Sequence, residues 1–313
     1  MKFSVVIPTY NKQHELRRAV QSVIDQDGYT SDCYEVIIVD DGSTDESLQV
    51  AQQIQRENPS QKLIVHSQRN AGVSAARNKG VELSSTNLIA FLDADDTYES
   101  HFLHEVEQLL VSYPEAAMYV TGYRFIDTST GATKSARLVG LEANKPRQLL
   151  TDFFYSAAHG DLPVTSSSVC IRKAVLKKCG GFPEDQNMGE DQAIWSRVAL
   201  KHKVAISTVN CANYFENTQN SLMQTVSPSD EMPYSLHLQT LLDDDRIAPE
   251  MVVSLEKYIA THLLDLVRRN LNAGDLNRAN KFVRDVRARA LLKRWLYWSV
   301  RVRAAAFIDK ISV

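Results

Sequence analysis

The sequence is poor in cysteine, glycine and proline, and it contains no long apolar run. Its 313 residues include four cysteines without C-x-x-C spacing, which argues against a zinc site and against a disulfide framework. No stretch approaches the roughly 18 uninterrupted apolar residues of a membrane-spanning helix. Neither G-x-G-x-x-G nor G-x-x-x-x-G-K-[ST] occurs, so a Rossmann dehydrogenase and a P-loop protein are excluded. The N-terminal apolar run is too short for a signal peptide, and we expect a cytoplasmic protein with reduced thiols.

Charge is distributed unevenly along the chain. The net charge is −3, but residues 271–313 contain ten Lys or Arg against three Asp, a net charge of +7. The preceding residues therefore carry −10. An acidic body with a basic tail indicates that the tail meets an anionic surface. We do not expect nucleic acid as the partner, because no recognised nucleic-acid-binding motif accompanies the charge.

Apolar runs alternate with amphipathic helical patterns over the first 125 residues. The runs Phe3–Ile7, Glu35–Val39 and Leu88–Leu92 are rich in β-branched and other apolar residues. Such runs are typical of parallel strands that are buried on both faces. We therefore predict an α/β fold, with a mostly parallel sheet and helices on both of its faces.

The rest of the chain is predicted to differ in organisation. Residues 127–160 are polar and weakly patterned, and we expect a loop or a lid there. From Tyr234 onward the pattern is helical throughout. We therefore predict a catalytic domain at residues 1–225, followed by a helical C-terminal region at residues 226–313.

Three of the predicted strands end in turns that carry polar side chains. These turns are Pro8-Thr9-Tyr10-Asn11, Asp40-Asp41-Gly42-Ser43 and Asp93-Ala94-Asp95-Asp96. Ligands bind beyond the carboxyl ends of parallel strands, so we expect all three turns to open onto one crevice. Three carboxylates within four positions repel one another unless a cation lies among them. Mg²⁺ or Mn²⁺ suits such a group, because these ions share oxygen ligands with substrate phosphates. The alternative is that the acids cap the following helix.

Two further motifs place charged side chains on predicted helices. Arg77 lies on a small-residue helix, where its guanidinium can bind a diphosphate or hold a carboxylate in a fork. A solvated surface arginine is the simpler alternative. Glu190 and Asp191 begin another helix, with Trp195 one turn further along the same face. Compensation of the helix dipole by itself accounts for two acids at that position.

The order and spacing of these motifs resemble glycosyltransferase family 2, whose catalytic domain has the GT-A fold. The resemblance covers roughly residues 2–220 and includes Gly180-Gly181-Phe182 before Gly189-Glu190-Asp191. It implies an inverting transferase that moves a sugar from a nucleotide diphosphate, expected to be UDP. The implied acceptor is a hydroxyl of a glycan or a lipid-linked molecule, in surface polysaccharide synthesis.

The resemblance also implies a role for each matching residue. The nucleotide is expected to contact Pro8, Thr9, Tyr10, Asp40, Asp41, Arg77, Asp93 and Ala94. Asp95 is expected to coordinate Mn²⁺ or Mg²⁺, and Asp191 is expected to act as general base. A helix N-terminus should lower the pKa of Asp191, which can still accept a proton late in the reaction. Contacts with donor or acceptor are expected from Glu190, Trp195 and Arg197.

The chain departs from the family after the last motif. Many members have a tyrosine–arginine pair where this chain has Tyr214-Phe215-Glu216-Asn217. Arg197, Asn217 and Asn220 are candidates to replace the missing arginine. A sugar-phosphate nucleotidyltransferase is an alternative, but its Gly-rich loop with Arg and Lys is absent after the first strand. An inactive sugar-nucleotide-binding or scaffold module is another, and the presence of Asp95 and Asp191 argues against it.

The C-terminal segment combines aromatic and basic side chains. Trp295, Tyr297 and Trp298 lie among lysines and arginines within residues 290–313. An amphipathic helix of this composition suits an anionic membrane interface, so we expect peripheral attachment to the inner face of the plasma membrane. The alternatives are packing on the acidic catalytic body or on a second subunit of a homo-oligomer.

Overall fold

The computed structural model describes residues 2–186, 188–216 and 230–311, with side chains up to residue 308. The chain divides into two compact units. One contains residues 1–153 and 162–220, and the other contains residues 154–161 and 221–313. The predicted domain boundary between residues 225 and 226 lies outside the described residues and stays a prediction.

One mixed sheet dominates the first unit. Its strands are β1 (Phe3–Thr9), β2 (Tyr34–Asp40), β3 (Leu63–Ser67), β4 (Leu88–Phe91), β5 (Thr97–Tyr98), β6 (Met118–Asp127), β7 (Thr133–Ser135), β8 (Arg147–Leu149), β9 (Val169–Arg172) and β10 (Val204–Glu216). The strand order is β3-β2-β1-β4-β9-β6-β10-β5, with β7 beside β6 and β8 beside β10. Strands β1 to β4 pair in parallel, as do β6 and β10, whereas β9 runs antiparallel between β4 and β6. This confirms the predicted α/β class with a mostly parallel sheet.

Helices cover both faces of this sheet. Those that precede residue 200 are α1 (Leu16–Ile24), α2 (Ser47–Glu57), α3 (Val73–Leu83), α4 (Phe102–Ser112), α5 (Phe153–His159), α6 (Lys173–Lys178) and α7 (Glu190–Ala199). Val5 and Ile7 of β1 join the core cluster that includes the inner face of α1. Val6 points the other way, as strand alternation requires, and meets Gly80 of α3. A Cβ atom at Gly80 would lie 2.2 Å from Val6 Cγ1, so only glycine permits this approach.

The region 127–160 is more structured than the predicted loop or lid. Strand β7 pairs with β6, and β8 pairs with β10. Each has three residues, which is too short to show a periodic pattern. Helix α5 follows, and from Phe154 onward it belongs to the second unit, where the Phe154 ring lies 5.6 Å from that of Tyr258.

The second unit is helical, as predicted. Its longer helices are α8 (Pro233–Asp243), α9 (Pro249–Asn272), α10 (Leu276–Arg284) and α11 (Leu292–Ile311), with a 3₁₀ segment at Val286–Leu291. Proline occupies the first turn of α8 and α9, where its missing N–H has no cost. Asp275 caps α10 by accepting a hydrogen bond from the Arg278 N–H. No helix in the described part of the chain is both long enough and apolar enough to cross a membrane.

Candidate active site

The carboxyl ends of β1, β2 and β4 meet at one edge of the sheet. Thr9 and Asp40 are paired in the register of the first two strands, so the turns that follow lie side by side. The Asn11 N–H donates to Ser43 Oγ at 3.0 Å, and the Thr44 N–H donates to Asn11 Oδ1 at 2.8 Å. Asn11 has a φ of 52°, a left-handed conformation that asparagine tolerates well. Two of the three predicted turns are thus joined directly.

Asp40 and Asp41 are buried and hold neighbouring loops. Asp40 Oδ2 accepts a hydrogen bond from Ser67 Oγ at 3.0 Å. Asp41 accepts from the Gly72 N–H at 2.8 Å and the Ala71 N–H at 3.0 Å, and it also accepts from a glutamine amide. A carboxylate has about four acceptor positions, so the loop already fills most of those on Asp41. Contacts of both residues with a nucleotide stay a prediction.

The residues predicted from the first motif differ in accessibility. Pro8 lies in the register of β1 opposite Val39, and Thr9 is buried with its hydroxyl 3.4 Å from the Ile7 carbonyl oxygen. Tyr10 is 46% exposed, so its ring is available to a ligand. Of the three residues, Tyr10 is therefore the one whose side chain can face a nucleotide.

Arg77 is buried and joins two acids that are far apart in the sequence. Its Nη1 donates to Glu190 Oε1 and its Nη2 donates to Asp93 Oδ1, both at 2.9 Å. The guanidinium also lies over the Phe182 ring, 5.3 Å from its centre. Burial alone would lower the pKa of Arg77, but the two carboxylates raise it, so the group stays charged. The sequence allowed a diphosphate or a carboxylate as its partner, and in this structure the partners are carboxylates.

The three acids of the Asp93–Asp96 turn are compensated in three different ways. Asp93 is paired with Arg77, and Asp95 Oδ2 lies 2.7 Å from Lys12 Nζ. Asp96 is buried and accepts hydrogen bonds from Ser167 Oγ at 2.5 Å and the Phe215 N–H at 3.0 Å. Burial, followed by the nearby carboxylates of Asp95 and Asp93, raises the pKa of Asp96 well above its usual range. Protein side chains thus supply positive charge beside Asp93 and Asp95, whereas the partners of Asp96 are neutral donors.

The exposed acids of this turn suit a metal ion that is shared with substrate phosphates, rather than one that is held by protein ligands alone. In the described residues, no three His, Cys, Asp or Glu side chains are grouped so as to hold a metal. The side chains of Asp93 and Asp95 remain 31% and 19% exposed, whereas Asp96 and Ala94 are buried. Mg²⁺ and similar ions are often held by one or two carboxylates together with substrate phosphates. The donor set therefore fits a hard cation that arrives with the phosphates.

Asp191 lies in the first turn of α7, after Gly189 with a φ of 77°. Its Oδ1 accepts a hydrogen bond from the Gln192 N–H at 2.6 Å. Burial by surrounding protein, assisted by the Glu190 carboxylate and opposed by Arg77, raises the pKa of Asp191 to about 7. The expectation of a lowered pKa was wrong: the hydrogen bond from the Gln192 N–H at the helix start does lower the pKa of Asp191, but desolvation raises it more.

The electrostatic environment of Tyr214 is set by burial and by the acids of the candidate site. Burial first, and then the charges of Asp96, Asp93, Asp95 and Asp191, raise the pKa of its phenol. No motif singled out this tyrosine as a site residue, although it stands where the family pattern is interrupted.

The three predicted contact residues all have protein partners in this structure. Trp195 is buried, with its ring edge-on to Phe182 at 5.7 Å, so it belongs to the core. Glu190 is held by Arg77. Arg197 lies 3.4 Å from the Cys179 carbonyl oxygen, which gives it a partner outside the site. Contacts of these three residues with donor or acceptor stay a prediction.

An arginine that the sequence did not single out, Arg18, contacts the Asp93–Asp96 turn. Arg18 Nη2 donates to the Asp95 carbonyl oxygen at 2.7 Å, and its guanidinium lies 3.7 Å from the centre of the Phe215 ring. Arg18 comes from α1, far in sequence from the expected tyrosine–arginine pair. Of the other candidates for that position, Asn217 and Asn220 lie outside the described residues.

Sequence comparison decides the family. Residues 4–177 match the profile described as Glycosyl transferase family 2. The chain belongs to this family. It is 30% identical over 234 residues to an uncharacterized glycosyltransferase of Nostoc sp., which covers 74% of this chain and 70% of that protein. It is also 37% identical to the minor teichoic acid biosynthesis protein GgaA of Bacillus subtilis, over 64% of this chain and 44% of GgaA.

Solved structures with the same fold agree with this assignment. S. aureus TarS 1–349 in complex with UDP-GlcNAc superposes with a TM-score of 0.67 and 18% identity, covering 94% of this chain and 83% of that one. The mannosyltransferase PcManGT of Pyrobaculum calidifontis, in complex with GDP-Man and Mn²⁺, gives a TM-score of 0.62 and 18% identity, covering 99% and 87%. At these identities the likeness shows the fold, which is the GT-A fold. The chain is therefore a family 2 glycosyltransferase.

Proposed function

We propose that this glycosyltransferase moves a sugar, with inversion, from a nucleotide diphosphate sugar to an acceptor hydroxyl. The observation that carries the proposal is the buried Arg77, which holds the Asp93 turn and the start of α7 together. The bridge holds the turn that carries Asp95 beside the helix start that carries Asp191. One side of the crevice can therefore bind the leaving group while the other side activates the acceptor.

The proposed donor side consists of the β1 and β4 turns. Tyr10 is exposed for a nucleobase or ribose, and Lys12 and Arg18 lie at Asp95, where a diphosphate would add negative charge. A divalent ion bound at Asp95, Mn²⁺ or Mg²⁺, would stabilise the charge that develops on the departing diphosphate. The complexes of TarS with UDP-GlcNAc and of PcManGT with GDP-Man and Mn²⁺ support this assignment.

The proposed acceptor side is Asp191. As the bond between the anomeric carbon and the diphosphate oxygen breaks, the acceptor oxygen forms a bond on the opposite face of the sugar. The proton of that hydroxyl goes to the Asp191 carboxylate. A pKa of about 7 suits this role better than the usual value of an aspartate, because a base works best when its pKa is near the working pH.

The acceptor is proposed to be a glycan or lipid-linked molecule of a surface polysaccharide. Support comes from GgaA, which is named for minor teichoic acid biosynthesis, although this chain spans less than half of that protein. We also propose that the UDP-linked sugars are the donors and that the basic C-terminal region attaches the enzyme peripherally to an anionic membrane.

A panel of UDP- and GDP-linked sugars tests the proposal. The purified protein is incubated with each sugar, with and without Mn²⁺, and release of the nucleoside diphosphate is measured. We expect release with one or a few donors, dependent on the metal ion and abolished by EDTA. Release without any divalent ion would refute metal dependence, and no release from any donor in the presence of acceptor extracts would refute the proposed reaction.

A further inference from the structure

The C-terminal helix α11 is apolar on two opposite sides. One side packs within its own unit: Val302 is buried, and the Trp295 indole N–H donates to the Val283 carbonyl oxygen at 2.9 Å. Trp298 is half-buried on this side as well. The tryptophans that suggested a membrane contact in the sequence therefore take part in packing the protein.

The opposite side carries four large apolar side chains that are open to solvent. Leu292, Leu296, Val300 and Phe307 are 58%, 50%, 66% and 66% exposed. Their spacings of four, four and seven residues place them along one line on a helix, about 22 Å long at 1.5 Å per residue. We call these four residues the outer stripe. Scattered exposed apolar residues are ordinary, but an aligned row of four on one helix is not.

Basic residues accompany the outer stripe. Lys293 and Arg303 lie three or four residues from stripe members, and hence on the same side of the helix. Residues 292–311 contain five Lys or Arg and a single acid, Asp309. The exposed side of α11 therefore combines apolar area with positive charge and, up to residue 308, has no carboxylate.

We infer that the outer stripe inserts into the interface of an anionic lipid membrane, with α11 lying flat on the surface. This inference rests on the membrane attachment proposed above and specifies which side of α11 contacts the lipid. That side is the outer stripe, opposite to the side that carries Trp295 and Trp298. A row of apolar residues flanked by Lys and Arg suits the boundary between acyl chains and anionic headgroups. A second copy of the chain fits less well, because the same face would bring like charges together.

Vesicle sedimentation tests the inference with charge held constant. The variant Leu296→Ser/Val300→Ser shortens the stripe, and Val253→Ser is its control, since Val253 is 58% exposed on α9 of the same unit. Vesicles contain equal parts of phosphatidylglycerol and phosphatidylcholine, or phosphatidylcholine alone. We expect the wild type to prefer the anionic vesicles and the double variant to bind them at least about tenfold more weakly. Val253→Ser should bind like the wild type.

A second variant separates the contribution of charge. Lys293→Gln/Arg303→Gln should also weaken binding to anionic vesicles by about tenfold or more, and should reduce its dependence on salt. Thermal melting of each variant confirms that the helix remains folded. Wild-type protein that ignores anionic vesicles, or a double serine variant that binds them normally, would overturn the inference.

Light scattering tests whether a second copy of the chain, rather than a membrane, covers the outer stripe. A wild-type dimer that becomes monomeric in Leu296→Ser/Val300→Ser would show that the stripe covers a second copy, and the inference would then be wrong. Diphosphate release is measured in parallel in vesicle-free solution. If vesicle binding is lost while diphosphate release is normal, the proposed reaction still holds. If diphosphate release is absent while vesicle binding is normal, the proposed reaction is rejected and the membrane inference still holds.

Discussion

Replacing Arg77 by methionine removes the cation between Asp93 and Glu190 while keeping a side chain of similar length. The guanidinium is buried, and both of its ion pairs are 2.9 Å long. Removing one partner of a buried ion pair typically costs about 3–5 kcal/mol, because the remaining charge is left uncompensated. For a unit of about 200 residues this corresponds to a fall in melting temperature of roughly 6–20 °C.

The same substitution should change the pH dependence of catalysis. The charge of Arg77 lowers the pKa of Asp191, while burial and Glu190 raise it to about 7. Without the arginine, the pKa of Asp191 moves above 7. Asp191 is then protonated, and inactive as a base, over a wider pH range. The acid limb of kcat/KM should therefore shift to higher pH. The assay is diphosphate release in the presence of acceptor, measured across the neutral range.

Two further variants serve as controls for this prediction. Arg77→Lys keeps the charge but loses the forked geometry, so it should destabilise the protein while shifting the pH profile less. Arg124→Met removes a partly exposed ion pair with Glu99 and should cost under about 1 kcal/mol. If Arg77→Met melted like the wild type with an unchanged pH profile, the bridge would have no part in holding the site together.

Other substitutions test the remaining roles. Asp191→Asn should reduce transfer by roughly 10²–10⁴-fold with donor binding kept, and normal turnover would refute the assigned base. Because folding raises the Asp191 pKa, its ionisation destabilises the native state, so the same variant should melt higher than the wild type at pH 8, with the difference vanishing towards pH 4. Wild-type kcat/KM should rise with pH and level off above about 7, and a flat profile would contradict a base of this pKa. Asp95→Ala should abolish Mn²⁺-dependent donor binding in calorimetry. Lys12→Met should weaken donor binding even in excess Mn²⁺, and unchanged affinity would exclude the ammonium from the diphosphate site.

Several features of the fold were predictable from local patterns. Strand β2 is predictable because buried parallel strands are apolar along most of their length. Helix α3 is predictable because it follows Gly72 and carries a helical pattern of small residues. Strands β7 and β8 were missed, since three residues carry no periodic signal and pairing with β6 and β10 decides their structure. Helix α5 was missed for the related reason that most of it belongs to the second unit, whose other residues are remote in the sequence.

Motif order indicates the family, and the alternation of strands and helices indicates the edge of the sheet where the candidate site lies. Polar turns after parallel strands must share one edge of the sheet, so the pattern alone places the acids at Asp40 and Asp93 together. The pattern does not show which positive group neutralises which acid, because Lys12 and Arg77 are remote in the sequence from the carboxylates with which they form ion pairs.

Protonation and exposure depend on contacts that form only when the chain is folded. The pKa of Asp191 depends on desolvation by neighbours that the chain brings together, and this outweighs the hydrogen bond from the Gln192 N–H at the helix start. Helical periodicity likewise shows which residues of α11 share a side, but packing against the rest of its unit decides which side is covered. That is why Trp295 lies against the protein while Leu296 and Val300 are left to solvent.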